Sequence, residues 1–441
     1  MSEGGDIAAA GPYIPAAMSR GSTALVRRAV GVVRLIPCTE FVNAPDSFST
    51  PRPYDPMQSG ESLQVLTPLI AALLRGENPA SVHGMDAANA AALSDACVVH
   101  GVHGVLYHQL SPSARWLALP QVLRERLEGQ AKADMAWELA HKAELAASLD
   151  ALADAGVDVL ILKGTALAYS LYPVPSIRSR GDTDLFIRPE DLSVLCDVLE
   201  RLGYAKDVVS QGIGYQINLS KTDRFGLAHT LDVHWRISNS EVFSEVLVWE
   251  EARRRSVALP ALGAHAHGLY CLHALIHACI HRASHFHAPY YVDDVAYLER
   301  NRLIWLYDIH LLVGALQVAD WTLFANLALE RAVSGVCRDT LQAAEEMFAT
   351  AIPSQVWEAL SRPRRAELSA QLLIASPWRA AWVDLWAQRG LKERLHFLRD
   401  LVLPSHAYMF RKYNERRAWV LPYLYVRRVL EGIRRRLRRF R

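Results

Sequence analysis

Two aspartates near the middle of the chain have the spacing of metal ligands. Asp182 and Asp184 are one residue apart, and alternation along a strand places both carboxylates on the same face. Carboxylates held this close favour a divalent cation, and Mg²⁺ or Mn²⁺ binds hard oxygen ligands while substrate phosphates complete its shell. The pair predicts a metal site, and a solvated strand end is the alternative interpretation.

A third aspartate lies on a later predicted strand. Asp232 and His234 share the polar face of this strand, whereas Leu231 and Val233 belong to the apolar face. If this strand lies beside the strand of Asp182 and Asp184, Asp232 completes a three-carboxylate site that could hold two metal ions. An ordinary carboxylate on an edge strand is the alternative.

A turn upstream has the residues of a phosphate-binding site. Lys163, Gly164 and Thr165 lie where a predicted strand passes into a helix, so a closely approaching backbone, helix N–H groups and a hydroxyl are available together. Arg178 and Arg180 supply further cations for a leaving pyrophosphate. We therefore predict that these five residues bind the phosphates of a nucleotide substrate. For Lys163, a structural lysine whose aliphatic stem is buried is an equal interpretation.

Alternating strands and helices position these residues. The pattern predicts strands at 157–162, 184–187 and 229–237, with helices at 165–172 and 189–203 between them. Such an alternation within about 80 residues is typical of an α/β unit. The rest of the chain has mostly helical periodicity, so the fold class is α+β, with a small mixed sheet flanked by helical lobes.

Composition and periodicity divide the chain into five regions. The first is rich in Gly, Ala, Ser and Pro and has no sustained periodicity, and the last is strongly basic. The predicted regions are a disordered extension at 1–60, a helical lobe at 61–150, a catalytic core at 151–250, a helical lobe at 251–403 and a basic tail at 404–441.

Overall composition indicates a folded cytoplasmic protein. Of 441 residues, 51% are hydrophobic and 21% charged, and the six cysteines include no CxxC pair, which argues against a disulfide framework and a thiolate zinc site. No uncharged apolar run reaches the roughly 18 residues of a membrane span, and no export signal is evident.

The charge of the chain is concentrated at its end. From Arg411 onward there are twelve Lys or Arg residues and two Glu residues, a local charge of +10 in a chain whose net charge is only +2. This basic tail could contact an anionic membrane, nucleic acid or the acidic body of its own protein.

Histidines and aromatic residues after the core suggest two further sites. His273, His277, His281 and His285 recur every four residues and line one helix face, which could bind zinc or copper. The alternative is a packed helix near the active-site cleft. The aromatic residues could stack a base or fill the core, and they are Tyr290, Tyr291, Trp305 and Tyr307.

Several segments together resemble a known family. The order of a hydrophobic strand, Gly-[Ser/Thr], a helix, Asp-x-Asp and a later single Asp is similar to the DNA polymerase β superfamily of nucleotidyltransferases. The amino-acid sequences of five segments resemble those of the bacterial uncharacterised nucleotidyltransferases (NTP_transf_5) over roughly 90–310. These segments are Leu162-Lys-Gly-Thr-Ala-Leu-Ala168, Leu171-Tyr-Pro173, Gly181-Asp-Thr-Asp-Leu185, Leu231-Asp-Val-His-Trp235 and Leu303-Ile-Trp-Leu-Tyr-Asp308.

The resemblance implies a sheet of nucleotidyltransferase type and a Mg²⁺-dependent enzyme. Such an enzyme transfers a nucleoside monophosphate from a nucleoside triphosphate (NTP) to a hydroxyl or phosphate of an acceptor, which the sequence does not identify. A non-catalytic nucleotide-binding or scaffold protein with the same fold is the alternative. A weaker hypothesis makes the histidine face the centre of a metal-dependent hydrolase.

Overall fold

Helices precede and follow a seven-stranded mixed sheet. The computed structural model of the chain describes residues 56–207, 214–293, 295–363, 365–404, 406–413, 415 and 417–438. Of the extension predicted at 1–60, residues 1–55 lie outside the described residues, and residues 56–60 begin the first helix. Among the helices of these described ranges, none is both long and apolar enough to span a bilayer.

The helices before the sheet include one of 34 residues, which is rich in the strong helix formers Ala, Leu, Glu and Lys. The helix that ends at His100 is capped by Asp86, whose side chain accepts a hydrogen bond from the Asn89 amide, and by Gly101 with a left-handed φ of 72°. These helices are α1 (Pro56–Leu74), α2 (Ala80–His83), α3 (Ala87–His100), α4 (His103–Leu110), α5 (Arg115–Ala118) and α6 (Gln121–Asp154).

The sheet is built from seven strands in the order β3-β4-β5-β2-β1-β7-β6. The pairs β2–β5 and β1–β7 are parallel, and the other neighbours are antiparallel. The strands are β1 (Leu160–Ile161), β2 (Thr183–Phe186), β3 (Ala205–Lys206), β4 (Gln216–Thr222), β5 (Ala228–His234), β6 (Val257–Ala258) and β7 (His267–Gly268). The intervening helices are α7 (Lys163–Ser170), α8 (Leu192–Arg201) and α9 (Trp249–Arg254).

The two faces of the central strands have different surroundings. Leu185 on β2, with Leu231 and Val233 on β5, joins a fully buried core beneath α6 and α8. Because successive side chains alternate across a strand, Asp184 and Asp232 lie on the opposite face. The predicted division of the β5 residues into a polar and an apolar face is therefore confirmed.

Helices after the sheet pack with the first helices around a larger core, which includes Leu93, Leu106, Leu275 and Leu306. A two-stranded sheet, β8 (Tyr290–Val292) and β9 (Val295–Tyr297), lies between the first two of these helices in the sequence. The helices are α10 (Cys271–Ser284), α11 (Leu303–Ala315), α12 (Val318–Glu330), α13 (Ser334–Phe348), α14 (Ser354–Leu360), α15 (Leu368–Ile374), α16 (Pro377–Ala387), α17 (Leu391–Val402), α18 (His406–Tyr413) and α19 (Leu421–Arg438).

Four strands of the large sheet were not predicted. The three predicted strands are present, although β1 contains only Leu160 and Ile161. Strands β3, β6 and β7 have two residues each, too few to produce a periodic signal, and β4 is a mostly polar, half-buried strand. Two of the missed strands, β6 and β7, follow residue 250 in the sequence. Strand β7 pairs with β1, and β6 pairs with β7.

Candidate active site

Asp184 lies at the centre of the carboxylate group. Its side chain is almost fully buried on β2, and its Oδ1 accepts hydrogen bonds from Lys163 Nζ at 2.5 Å and His234 Nε2 at 2.9 Å. Burial alone would raise the pKa of Asp184, but the Lys163 ammonium and the bond from His234 outweigh it and hold the pKa well below its ordinary value. Asp184 is therefore ionised at neutral pH.

Asp232 faces Asp184 across the parallel strands. The two residues are direct partners in the register of β2 and β5. Ligand atoms of Asp184, Asp232 and His234 lie within 4.8 Å of one another, and Asp232 Oδ1 is buried without a hydrogen-bond partner. Burial, followed by repulsion from the two neighbouring aspartates, raises the pKa of Asp232 to about 8. This arrangement concentrates negative charge that a divalent cation would compensate.

Asp182 lies just before β2 and outside this group of three. Its side chain is exposed to solvent. Desolvation by the protein atoms around the carboxyl, followed by the charge of Asp184, raises the pKa of Asp182 against the opposing charges of Lys163 and Arg178. Asp182 is thus available to a ligand that enters from the solvent side.

Lys163 connects β1 to α7 in a strained conformation. Its φ is +49°, in the left-handed region that a side chain normally avoids, at a cost of about 1–2 kcal/mol. Burial would lower the pKa of the ammonium, but Asp184 first, and then Asp182 and Asp232, raise it. This backbone conformation directs a permanent cation to the carboxylates.

Gly164 lies directly over a buried ion pair. A Cβ at this position would approach the Arg178 guanidinium carbon to 3.2 Å. The Arg178 side chain donates from Nε and Nη2 to the two Asp308 oxygens at 2.9 and 2.7 Å, and the Tyr172 hydroxyl donates to the same carboxylate at 2.7 Å. The predicted phosphate ligand Arg178 is therefore already engaged by a buried carboxylate.

Thr165 and Arg180 belong to a polar network on the other side of β2. The Thr165 hydroxyl is hydrogen-bonded to the Thr183 hydroxyl at 2.9 Å and accepts from Arg180 Nε at 3.0 Å. Arg180 also forms an ion pair with Glu138 at 2.6 Å, and Thr183 contacts His141 Nε2 at 2.8 Å. This network fixes the turn at Gly164 against β2, beneath the carboxylates.

The structure adds three residues to those predicted. His234 was placed on the Asp232 face from the sequence but was not included among the site residues. Burial and the charge of Lys163 lower the pKa of His234, so the imidazole is neutral at neutral pH, with a buried Nδ1 that lacks a partner. Asp308 and Glu138, the partners of Arg178 and Arg180, are 130 and 42 positions away from them in the chain, and no short motif predicts such contacts.

The histidine face of α10 does not form a metal cluster. Among the described residues, the one group of three suitable side chains is Asp184, Asp232 and His234. Burial lowers the pKa of His273 to about 4 and of His277 to about 3, so both rings are neutral. His281 packs edge-on against Trp305, with ring centroids 5.2 Å apart. The packed-helix interpretation therefore describes this face.

A pocket opens beside Lys163. Its empty volume is about 570 Å³, part of it open to solvent, and its walls are mainly apolar, from β1, α7, β7 and α10. Lys163, His277 and Asp308 are among its polar residues. Among the described residues that line it are none of the three aspartates, so Lys163, which also contacts Asp184, connects the pocket to the carboxylates.

Comparison with known families assigns the fold. The family model described as uncharacterised nucleotidyltransferase (NTP_transf_5) matches residues 86–349. The chain belongs to this family. No curated protein and no solved structure matches it. The region matched to the nucleotidyltransferase family contains all seven strands of the sheet and the three aspartates, whereas the basic tail lies beyond it.

Family membership defines a general role in nucleotidyl transfer, with a nucleotide as substrate. Nucleotidyltransferases usually use divalent metals, and the residues present fit such an ion. Two carboxylates and an imidazole lie close together, Asp232 Oδ1 has no partner, and Asp182 offers a further oxygen nearby. Carboxylate oxygens suit both Mg²⁺ and Mn²⁺.

Proposed function

We propose that this nucleotidyltransferase uses Mg²⁺ or Mn²⁺ to transfer a nucleoside monophosphate from an NTP to a hydroxyl or phosphate of an acceptor, releasing pyrophosphate. The observation that carries the proposal is the register of β2 and β5, which pairs Asp184 with Asp232 in a family of nucleotidyltransferases. A metal bound there would orient the triphosphate and polarise its phosphoryl oxygens. Asp182, Asp184 and Asp232 would hold it, with His234 beside them.

Side chains of the protein would stabilise the phosphate charge and accept the proton of the acceptor. Lys163 lies within hydrogen-bond distance of Asp184 and brings a positive charge to the place where phosphate oxygens would gather. When an acceptor hydroxyl attacks the α-phosphorus, an O–P bond forms, the bond to pyrophosphate breaks, and the hydroxyl proton moves to the Asp232 carboxylate, which a bound metal ion would keep ionised. The pocket beside Lys163 provides space for the base or the acceptor.

Label transfer tests this function. Purified protein is incubated with Mg²⁺ or Mn²⁺, with each of the four α-labelled NTPs separately, and with small-molecule and RNA fractions of a lysate as acceptors. We expect label transfer and pyrophosphate release that require the metal. Asp184→Asn and Asp232→Asn should each reduce the rate at least about 100-fold, because each removes a charge from the site of phosphoryl transfer.

Asp197→Asn provides a matched control. Asp197 is an exposed carboxylate on α8, outside the site, and its replacement should leave the rate unchanged. Full turnover in both site variants would refute the proposal. Metal-dependent NTP binding without transfer to any fraction would instead support a non-catalytic nucleotide-binding protein.

A further inference from the structure

Three arginines lie near the carboxylates, and two of them are neutralised. Arg178 forms an ion pair with Asp308, and Arg180 forms one with Glu138. The third, Arg302, forms no ion pair with a carboxylate of the described residues. Its guanidinium lies over the ring of Trp305, and Trp305 lines the same pocket as Lys163, the lysine that contacts Asp184.

Contacts hold the Arg302 side chain in place through its Nε atom and the face of its guanidinium. Arg302 is the residue just before α11, and its Nε donates to the Val99 carbonyl at 3.0 Å. The guanidinium lies over the rings of Tyr290 and Trp305, with centroid distances of 4.4 and 5.6 Å. Within the described part of the chain, neither Nη atom has a hydrogen-bond partner.

Gly101 makes room for this arrangement. Its φ of +72° belongs to the left-handed region, where a side chain is strained. A Cβ at this position would approach Arg302 Nη2 to 3.3 Å and the Ile304 side chain to 3.2 Å. The C-terminus of α3 therefore passes close to the guanidinium without covering it.

Arg302 is half-buried and forms no ion pair with a carboxylate of the described residues, so its charge is available to an anionic ligand. Aromatic faces stabilise the cation and fix its plane, while the two Nη groups keep the fork geometry that matches phosphate oxygens. We propose that Arg302 binds the triphosphate of the NTP, a role that rests on the proposed function. Arg178 and Arg180, which the sequence favoured, are each already paired with a buried carboxylate.

Binding of Mg²⁺·ATP and of inorganic tripolyphosphate, measured by calorimetry, tests this assignment. We expect Arg302→Gln to weaken both at least about tenfold, with the same loss for the two ligands, because the phosphates are the shared group. Arg302→Lys should recover part of the affinity, since it keeps the charge but not the fork. Arg300→Gln is the matched control, because Arg300 is exposed and its guanidinium packs over Phe286.

The outcomes separate this assignment from the proposed function. If wild-type protein binds Mg²⁺·ATP and Asp184→Asn abolishes the binding, but folded Arg302→Gln binds as tightly as wild type, the assignment of Arg302 is wrong and the proposed function stands. If wild-type protein binds neither ligand, both are overturned. Thermal unfolding of each variant shows whether it is folded.

A second, independent observation concerns the C-terminal helix. Four apolar side chains are exposed on one side of this region, at intervals of four, three and four residues: Trp419 (77%), Tyr423 (62%), Val426 (58%) and Leu430 (50%). We call them the C-terminal stripe. Tyr423, Val426 and Leu430 share one face of α19 by their spacing, and Trp419 precedes them in the 3₁₀ turn Ala418–Val420. Leu424, which is buried, belongs to the face used for packing with α18.

The sequence around the stripe is strongly basic, with twelve Lys or Arg residues and two Glu residues from Arg411 onward. An aromatic and aliphatic stripe beside dense positive charge is typical of helices that lie in the headgroup region of anionic membranes. RNA would require the charge but not four exposed apolar side chains. We infer that the C-terminal stripe docks on an anionic lipid surface.

Vesicle co-sedimentation tests this inference with full-length protein. We expect binding to vesicles that contain phosphatidylglycerol and none to phosphatidylcholine alone. The double variant Trp419→Ala, Tyr423→Ala should reduce binding at least about fivefold, whereas Leu117→Ala, Val318→Ala, which removes two equally exposed apolar side chains elsewhere, should not. Unchanged binding of the stripe variant, absence of binding to anionic vesicles, or binding to RNA alone would each overturn the inference.

Discussion

The Lys163 ammonium donates to the same Asp184 oxygen that accepts a hydrogen bond from His234, at 2.5 and 2.9 Å. Lys163 is thus the cation closest to a group that otherwise consists of three carboxylates and a neutral imidazole. Its positive charge opposes a second cation at the same place but favours a triphosphate. The lysine should therefore affect metal and nucleotide in opposite directions.

Replacement of Lys163 by methionine keeps most of the side-chain volume and removes the charge. We expect Lys163→Met to bind Mn²⁺ alone about fivefold more tightly, equivalent to about 1 kcal/mol of relieved repulsion. The same variant should bind Mn²⁺·ATP more weakly than wild type. Mn²⁺ titration followed by electron paramagnetic resonance measures both, with exposed Lys142→Met as control. Weaker binding of the metal alone would contradict this prediction.

Asp232 should make the stability of the metal-free protein depend on pH. Its pKa of about 8 means that the folded protein keeps a proton that the unfolded chain releases near pH 4. Because the folded state binds more protons between these values, the contribution of Asp232 to the free energy of unfolding decreases as pH rises from about 4 to 8.

Asp232→Asn removes this contribution. In urea unfolding with a chelator present, we expect the variant to be about 2 kcal/mol more stable than wild type at pH 8, and the advantage to disappear towards pH 4. The expected stability difference is smaller than the free energy that corresponds to the whole pKa shift, because Asp232 keeps some contact with solvent. Identical pH dependence of wild type and variant would show that Asp232 is not protonated in the folded state.

The Arg178–Asp308 pair should behave as a unit. Asp308→Asn leaves a buried guanidinium without its charge partner and should lower the free energy of unfolding by about 3–5 kcal/mol. The double variant Arg178→Met, Asp308→Leu should cost less than the sum of the single changes, because it removes both buried charges. A double-mutant cycle in urea measures the coupling, and strictly additive effects would mean that the pair does not interact.

Two glycine substitutions should have opposite effects on stability. At Gly164 a Cβ crowds the Arg178 guanidinium, which Asp308 and the Ser179 carbonyl hold in place, so Gly164→Ala should destabilise the protein by about 1–2 kcal/mol. Gly129 lies in α6 with open space around it, so Gly129→Ala should stabilise it by about 0.5–1 kcal/mol. Thermal unfolding compares them, and stabilisation by Gly164→Ala would show that Arg178 can move aside.

Local pattern was sufficient to predict the central strands and the common face of Asp232 and His234. These features depend on neighbours within one strand, where alternation fixes the direction of each side chain. The order of β2 and β5 in the sequence suggested that they pair, but only the fold supplies the register between Asp184 and Asp232.

The partners of the arginines could not be predicted. Arg178 and Arg180 follow the predicted phosphate-binding turn in the sequence, so the sequence favoured them as phosphate ligands. The fold brings Asp308 and Glu138 to them from helices on either side of the core sequence. Arg302, 120 positions after Asp182, lies over Trp305 in the wall of the pocket because α11 begins there. Such long-range contacts depend on the packing of helices, for which a single sequence has no short signal.

Anomalous diffraction from crystals soaked with Mn²⁺ and a non-hydrolysable NTP would locate the metal ion and the nucleotide together. We expect a manganese peak bonded to carboxylate oxygens of both Asp184 and Asp232, at about 2.2 Å, with triphosphate oxygens completing its shell. A peak on the histidine face of α10, or nucleotide bound without metal at Asp184 and Asp232, would contradict it.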